Sequence, residues 1–171
     1  AVIEYIEANK DTALPMRDIL EFCMASAMRI SEVCRIRWED LNTKDKTIVI
    51  RDRKHPSEKI GNHQTVPLLN ATGFDAFAIV KRQEREGARI FHADPRTVGA
   101  YFTRAVQALK IKDLHLHDIR HEAISRLFAA GYQIPEVSLV SGHKDWAMLK
   151  RYTHVRAKDL HRVKDPERVP Q

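Results

Sequence analysis

The run Thr47-Ile48-Val49-Ile50-Arg51 constrains the fold more than any other segment. Four successive β-branched side chains suit a pleated strand and lose rotamer freedom in a helix. Thr65-Val66-Pro67 reads as a second strand, and Arg37-Trp38-Glu39-Asp40-Leu41 can supply a third. The polar segment between Arg51 and Thr65 is then a hairpin loop or tongue. On both sides of this block the period is helical. Pro15 opens a helix carrying Ile19, Phe22, Cys23 and Ser26 on one side, and Ser31 is placed to cap a short helix through Glu32, Val33, Cys34 and Ile36. Asp94-Pro95 starts a helix whose face is Val98, Phe102, Ala105 and Leu109. From Asp118 to Ala130 the apolar positions Ile119, Ala123, Leu127 and Ala130 keep helical spacing, and Gly131 fits the stop. Ile134-Pro135 begins a short helix ending near Gly142, and Asp145 caps the next. The expected class is α+β, predominantly helical, with a small antiparallel three-stranded sheet.

A chain of 171 residues is the size of one domain. It begins at Ala1 inside what reads as a helix, so a piece of a longer protein is expected. No apolar run approaches the roughly 18 residues of a membrane span. Cys23 and Cys34 are too few for a disulfide scaffold, which favours a reducing, cytoplasmic setting. The 29 Lys and Arg against 23 Asp and Glu leave a net charge of +6, which favours a polyanionic partner.

Three clusters carry residues fit for chemistry. In His117-Asp118-Ile119-Arg120-His121, His117 and Arg120 share a helix face near an N-terminus. There the dipole favours a neutral imidazole, and the guanidinium fork matches a phosphate. Zinc binding by His117 and His121, as in H-E-x-x-H, is opposed by Asp118 in the Glu position and by the fixed charge of Arg120. In Ala27-Met28-Arg29-Ile30-Ser31-Glu32, an Arg among apolar residues needs a partner, and Glu32 can pair with it and aim it at an external anion. The third cluster is Ser141-Gly142-His143 with Arg151-Tyr152-Thr153-His154. Each cluster alone also reads as ordinary surface or structural residues. Two Arg, several His and a Tyr without a clear metal set suit nucleophilic attack on a phosphodiester, with Tyr as nucleophile and Arg neutralising the phosphate.

In this order the clusters resemble the catalytic domain of tyrosine recombinases, the phage integrase family. Ala27-Met28-Arg29-Ile30-Ser31-Glu32-Val33 with Ile36-Arg37-Trp38-Glu39-Asp40-Leu41 resembles the segment around the family's first catalytic arginine, and His117-Asp118-Ile119-Arg120-His121 its H-x-x-R box. Gly142-His143 matches the later His/Trp position and Arg151-Tyr152-Thr153-His154 the nucleophile segment. The resemblance covers roughly residues 13–155 and implies the tyrosine recombinase catalytic-domain fold. Residues 1–155 are then the catalytic domain, and 156–171 a charged tail, either a plain terminus or a segment docking on a neighbouring protomer. The family's amino-terminal DNA-binding domain is absent from these residues.

The resemblance implies that Tyr152 attacks a DNA phosphate to form a 3′-phosphotyrosyl bond, releasing a 5′-hydroxyl without metal, ATP or other cofactor. Arg29 and Arg120 would bind the non-bridging oxygens, His117 would act as base or hydrogen-bond donor, and His143 would donate to the phosphate. A hairpin lysine would protonate the leaving oxygen: Lys54, directly off the strand, or alternatively Lys59. Glu32 would orient Arg29. The implied partners are double-stranded DNA and further copies of the protein, four on two DNA sites. A type IB topoisomerase, which typically carries Lys where His117 stands, and an inactive DNA-binding relative are the alternatives. Whatever the family, the metal-free scheme predicts that DNA cleavage persists in excess EDTA. Loss on chelation, restored by zinc or magnesium, would favour the metal reading.

Overall fold

The alternation of Thr47, Ile48, Val49 and Ile50 resolves as a strand that buries Ile48 and Ile50 and leaves its other two residues half-buried. The computed structural model describes residues 1–9, 12–54 and 60–153. Helices α1 (Val2–Ala8), α2 (Met16–Ser26) and α3 (Ile30–Val33) lead to a 3₁₀ turn at Trp38–Asp40 and strands β1 (Leu41–Asn42), β2 (Thr47–Ile50) and β3 (Gln64–Pro67). Then follow α4 (Ala76–Lys81), α5 (Pro95–Ala108), α6 (Leu116–Ala129), α7 (Ile134–Ser141) and a 3₁₀ segment at Trp146–Tyr152. The sheet is antiparallel in the order β1-β2-β3, with Ile48 opposite both Leu41 and Val66. The class is the α+β arrangement expected, and no described helix is long and apolar enough to cross a membrane.

Two local expectations need correction. Only Leu41–Asn42 of the third strand candidate joins the sheet. Arg37 instead makes an isolated bridge with Arg89, and Trp38 donates its backbone N–H to Ala88 O at 3.0 Å, so the chain turns before pairing. Ser31 lies inside α3, exposed, because that helix begins one residue earlier. The start of α3 is closed by Glu32, whose carboxylate accepts from the Arg29 backbone N–H at 2.9 Å.

Helix α2 is the central element, packed against α1, α4 and α6. Ile19, Phe22 and Ala25 lose all their exposure there, and Phe22 meets Phe91 at a ring separation of 5.2 Å. A second apolar cluster, built on Ala27, Ala123, Ile124, Leu127, Val137, Val140 and Leu149, joins α6 and α7 to the last 3₁₀ segment. Helix α2 ends at Ala27 in the left-handed region (φ 52°), which costs an L-residue roughly 1–2 kcal/mol. The surroundings hold that conformation: the Ala27 carbonyl accepts from Arg120 Nη1 at 2.7 Å.

Arg53, just beyond β2, is 1% exposed. Its guanidinium donates to Glu32 Oε1 at 3.2 Å, Gln64 Oε1 at 2.9 Å, Leu139 O at 3.1 Å and Val140 O at 2.7 Å. The hairpin base, α3 and the end of α7 are thus tied to one side chain. Gly142 is required beside it. Its φ is +78°, and a Cβ there would fall 2.5 Å from Arg53 Nε.

Removing one member of such a buried pair strands the other, so Arg53→Ala should cost about 3–5 kcal/mol in equilibrium denaturation. Gly142→Ala should cost roughly 1–3 kcal/mol through strained backbone and the displaced guanidinium. A denaturation midpoint unchanged in both variants would show that Arg53 does not hold the three elements together.

Candidate active site

Arg29 stands at the α2–α3 junction. The left-handed Ala27 turns the chain, Met28 is buried, and Arg29 is extended (φ −71°, ψ 146°), with its side chain 25% exposed. It borders a cavity of about 210 Å³ shared with Met28, Ile30, Leu116, His117 and Arg120. Arg29 Nη1 donates to Glu32 Oε1 at 3.1 Å, the same oxygen that Arg53 holds. One buried carboxylate therefore orients both guanidinium groups. Burial pushes the Glu32 carboxyl upward, but Arg53, the Arg29 backbone N–H and the charges of Arg29 and Arg120 outweigh it, and its pKa lies below the ordinary value.

The opposite wall is the start of α6. Asp118 accepts from the His115 backbone N–H at 2.7 Å and closes the first turn, so it is engaged as a cap. The helix begins at Leu116, two residues before the expected start, which puts His117 in its first turn. Partial desolvation lowers the His117 pKa, helped by His121, Arg120 and Arg29 and opposed by Asp118. One turn further, Arg120 is 3% exposed and donates to Ala27 O and Ser141 O, each at 2.7 Å. Burial, then the charge of Arg29, lowers its pKa to about 10, so it stays charged at neutral pH. Two of its donors are fixed by carbonyls, which aims the rest of the fork without using all of it.

His143 follows the left-handed Gly142 at the end of α7. Its Nδ1 lies 2.7 Å from Ser141 Oγ, and its carbonyl accepts from the Ser138 hydroxyl. Burial, reinforced by Arg120, Arg29, Arg151 and Arg53, lowers its pKa to about 4, so the ring is neutral at pH 7. Tyr152 ends the last 3₁₀ segment, which Asp145 caps by accepting from Ala147 N at 2.8 Å and Leu149 anchors in the core. The Tyr152 ring stacks between His121 and Phe128, at centroid separations of 5.8 and 6.4 Å. Its hydroxyl is hydrogen-bonded to His121 Nδ1 and accepts from Arg151 Nη2 at 2.9 Å.

Arg29, His117 and Arg120 therefore meet at one cavity, and His143 lies within the electrostatic reach of both arginines. Tyr152 approaches one helical turn further along the same side of α6, where its hydroxyl meets His121, the edge-on neighbour of His117. Lys54 is exposed at the hairpin base and makes no hydrogen bond or ion pair with another described residue, while Lys59 lies outside the described residues. Among the described residues, no group of three or more His, Cys, Asp or Glu could hold a metal ion. Arg53 escaped the sequence reading because nothing local marks its partners, and Ser141, named there only as part of the third cluster, proves to hold Arg120 through its carbonyl and His143 through its hydroxyl. His121 was visible there at i+4 from His117, but as a metal-ligand spacing rather than as the neighbour of Tyr152.

Residues 1–159 match the Phage integrase family. Over 144 residues the chain is 35% identical to a shufflon-specific DNA recombinase of Escherichia coli, a match covering 83% of this chain and 35% of that protein. It is 30% identical over 178 residues to the tyrosine recombinase XerC of Xanthomonas campestris pv. campestris, covering 95% of this chain and 52% of the relative. The chain thus spans about half or less of these relatives. Among solved structures, a lambda integrase dimer bound to a COC′ core site superposes with a TM-score of 0.68 at 19% identity, over 88% of this chain and 45% of that one. The catalytic domain of bacteriophage HP1 integrase superposes at 0.62 and 21% identity, over 88% and 82% of the two chains. The fold is that of tyrosine recombinase catalytic domains.

The depressed pKa of Glu32 carries a definite pH dependence. A carboxyl whose folded pKa lies below its unfolded value of about 4.3 contributes stability above that pH, and loses it as pH falls through the folded value. Glu32→Gln should therefore be less stable than wild type at pH 7, and the gap should narrow below about pH 4. Urea denaturation across that range is the measurement; a gap independent of pH would show that the charge of Glu32 is not what stabilises the site.

Proposed function

The chain belongs to the phage integrase family, and we propose that it is the strand-cleaving part of a site-specific DNA recombinase. Tyr152 attacks a scissile phosphate of double-stranded DNA, leaving a 3′-phosphotyrosyl bond and a free 5′-hydroxyl. The observation that carries this reading is the cavity bordered by Arg29, His117 and Arg120, with His143 close by and a tyrosine held one helical turn along α6 at His121. A pentacoordinate phosphorane gathers negative charge on its equatorial oxygens, and two oriented guanidinium groups stabilise that charge more than they stabilise the ground state. Their orientation is prepared in advance: Glu32 aims Arg29, while the carbonyls of Ala27 and Ser141 aim Arg120. His143, neutral at pH 7, has the capacity of a hydrogen-bond donor to a phosphate oxygen.

Within the same proposal, Lys54 protonates the leaving 5′-oxygen, with Lys59 as the alternative. Because the phosphodiester energy is kept in the protein–DNA link, rejoining needs no ATP and no metal. The net charge of +6 supports a DNA partner whose affinity falls with salt. Assembly as a tetramer on two DNA sites, a docking role for residues 156–171 and a cytoplasmic setting also belong to the proposal; the tail lies outside the described residues.

The test is incubation of the full-length protein with nicked suicide DNA carrying its core site, followed by a denaturing gel and peptide mapping. The adduct should map to Tyr152. Tyr152→Phe should bind DNA and form none. Arg29→Ala should slow cleavage by roughly 10³–10⁵, and Arg120→Lys, which keeps a charge but loses the fork, should also be slow. An adduct of full yield in Tyr152→Phe, or one mapped to Tyr101 or Tyr132, would sink the assignment.

A further inference from the structure

We infer that His121, rather than His117, is the group that takes the proton from Tyr152 in the cleavage step, an inference that rests on the recombinase reading above. The tyrosine hydroxyl is bonded to His121 Nδ1, and the two rings stack at 5.8 Å with an interplanar angle of 26°. His117 makes no hydrogen bond to Tyr152; it borders the cavity of Arg29 and Arg120 and meets His121 edge-on, with ring centroids 4.7 Å apart. The two histidines of α6 thus face different reactants, His117 the phosphate cavity and His121 the nucleophile.

Arg151 determines the tautomer. Its Nη2 lies 2.9 Å from the Tyr152 hydroxyl and 3.4 Å from His121 Nδ1. A guanidinium only donates, so Nδ1 presents a lone pair and the ring proton is on Nε2. The tyrosine hydroxyl then donates to Nδ1 and accepts from Arg151, the polarity needed for deprotonation. In cleavage the Oη–H proton passes to Nδ1 and its electron pair remains on Oη, which attacks phosphorus. The P–O5′ pair leaves with the 5′-oxygen, protonated by the lysine proposed above. On rejoining, the 5′-hydroxyl attacks phosphorus and returns its proton to that lysine, while the P–Oη pair leaves with Oη, which recovers its proton from His121. Arg151 holds the charge on Oη while it is free.

The charged and titratable groups facing His121 are His117, Asp118 and Arg120 on its own helix and Arg151 and Tyr152 on the last 3₁₀ segment. Desolvation, then Arg151 and Arg120, lower its pKa against Asp118, so the imidazole is neutral at pH 7 and able to accept. The negative charge of a bound phosphate offsets the same cationic field, so the imidazolium becomes tolerable when substrate is in place. Because the neutral ring is the active form, cleavage at subsaturating DNA, which reports the free protein, should fall as pH drops through a value below the usual imidazole pKa of about 6.5.

The experiment measures adduct formation by full-length protein on nicked suicide DNA, with DNA binding followed by gel shift. His121→Ala should bind DNA as wild type does, cleave about 10²-fold or more slowly at pH 7, and regain part of the rate with added imidazole. His121→Asn retains a hydrogen-bond acceptor but takes no proton at this pH, and should stay as slow as the alanine variant. The acid limb of the wild-type pH profile should disappear in both. Cleavage by His121→Ala within about threefold of wild type, or full recovery in His121→Asn, overturns the assignment of the proton to His121. Failure of the wild type to form an adduct at Tyr152 would overturn the recombinase reading itself, and is distinguished by needing no His121 variant.

Discussion

The Glu32 carboxylate, 1% exposed, is shared by two arginines with different tasks. Arg53 is as buried as Glu32 and uses its remaining donors on the sheet and on α7. Arg29 reaches from the same oxygen to the cavity. A lone buried carboxylate or guanidinium would be expensive, and each of these groups is tolerable because the other is present. The structure uses that dependence to hold the hairpin base, the α2–α3 junction and the end of α7 in one geometry. The left-handed Gly142 belongs to the same unit, since only a residue without Cβ leaves room for the Arg53 guanidinium.

Arg120 extends the arrangement to α6. Its two carbonyl bonds, to Ala27 and Ser141, join the ends of α2 and α7 across the helix that bears it. Three buried or half-buried guanidinium groups near one cavity produce a strongly positive field, and its effect is visible in the neighbouring histidines. His117, His121 and His143 are all shifted toward the neutral form by desolvation and by nearby cations. The site therefore combines fixed positive charge, suited to a phosphate, with uncharged imidazoles able to accept or donate protons. Those two properties arise from one cause, the packing of arginines against buried carbonyls and a single carboxylate.

Much of the fold was legible because its signals are short-range. The β-branched run became β2, Asp94-Pro95 became the start of α5 with Asp94 accepting from Arg96 and Thr97, and Gly142 ended α7. A period of two or of 3.6, a capping carboxylate and a positive-φ glycine act within a few residues, so they can be read without knowing the rest of the chain. The errors were local competitions decided from a distance. Trp38 turned away from the sheet because its N–H found the Ala88 carbonyl, and Ser31 lost the cap to a carboxylate that two arginines hold in place.

By itself, then, the sequence determined the class of the fold, the order of its elements and the residue types from which a phosphate site can be built. Tertiary structure alone decided what those residues touch. Arg53 meets the Val140 carbonyl across 87 positions, Arg120 meets Ala27 across 93, and His121 meets Tyr152 across 31. No periodicity or spacing encodes such pairs, because each depends on how helices far apart in the chain bury their apolar faces against one another. The identity of the group beside Tyr152 is the sharpest instance. His117 and His121 are one helical turn apart and chemically alike, and only the packing of the last 3₁₀ segment against α6 brings the second of them to the hydroxyl.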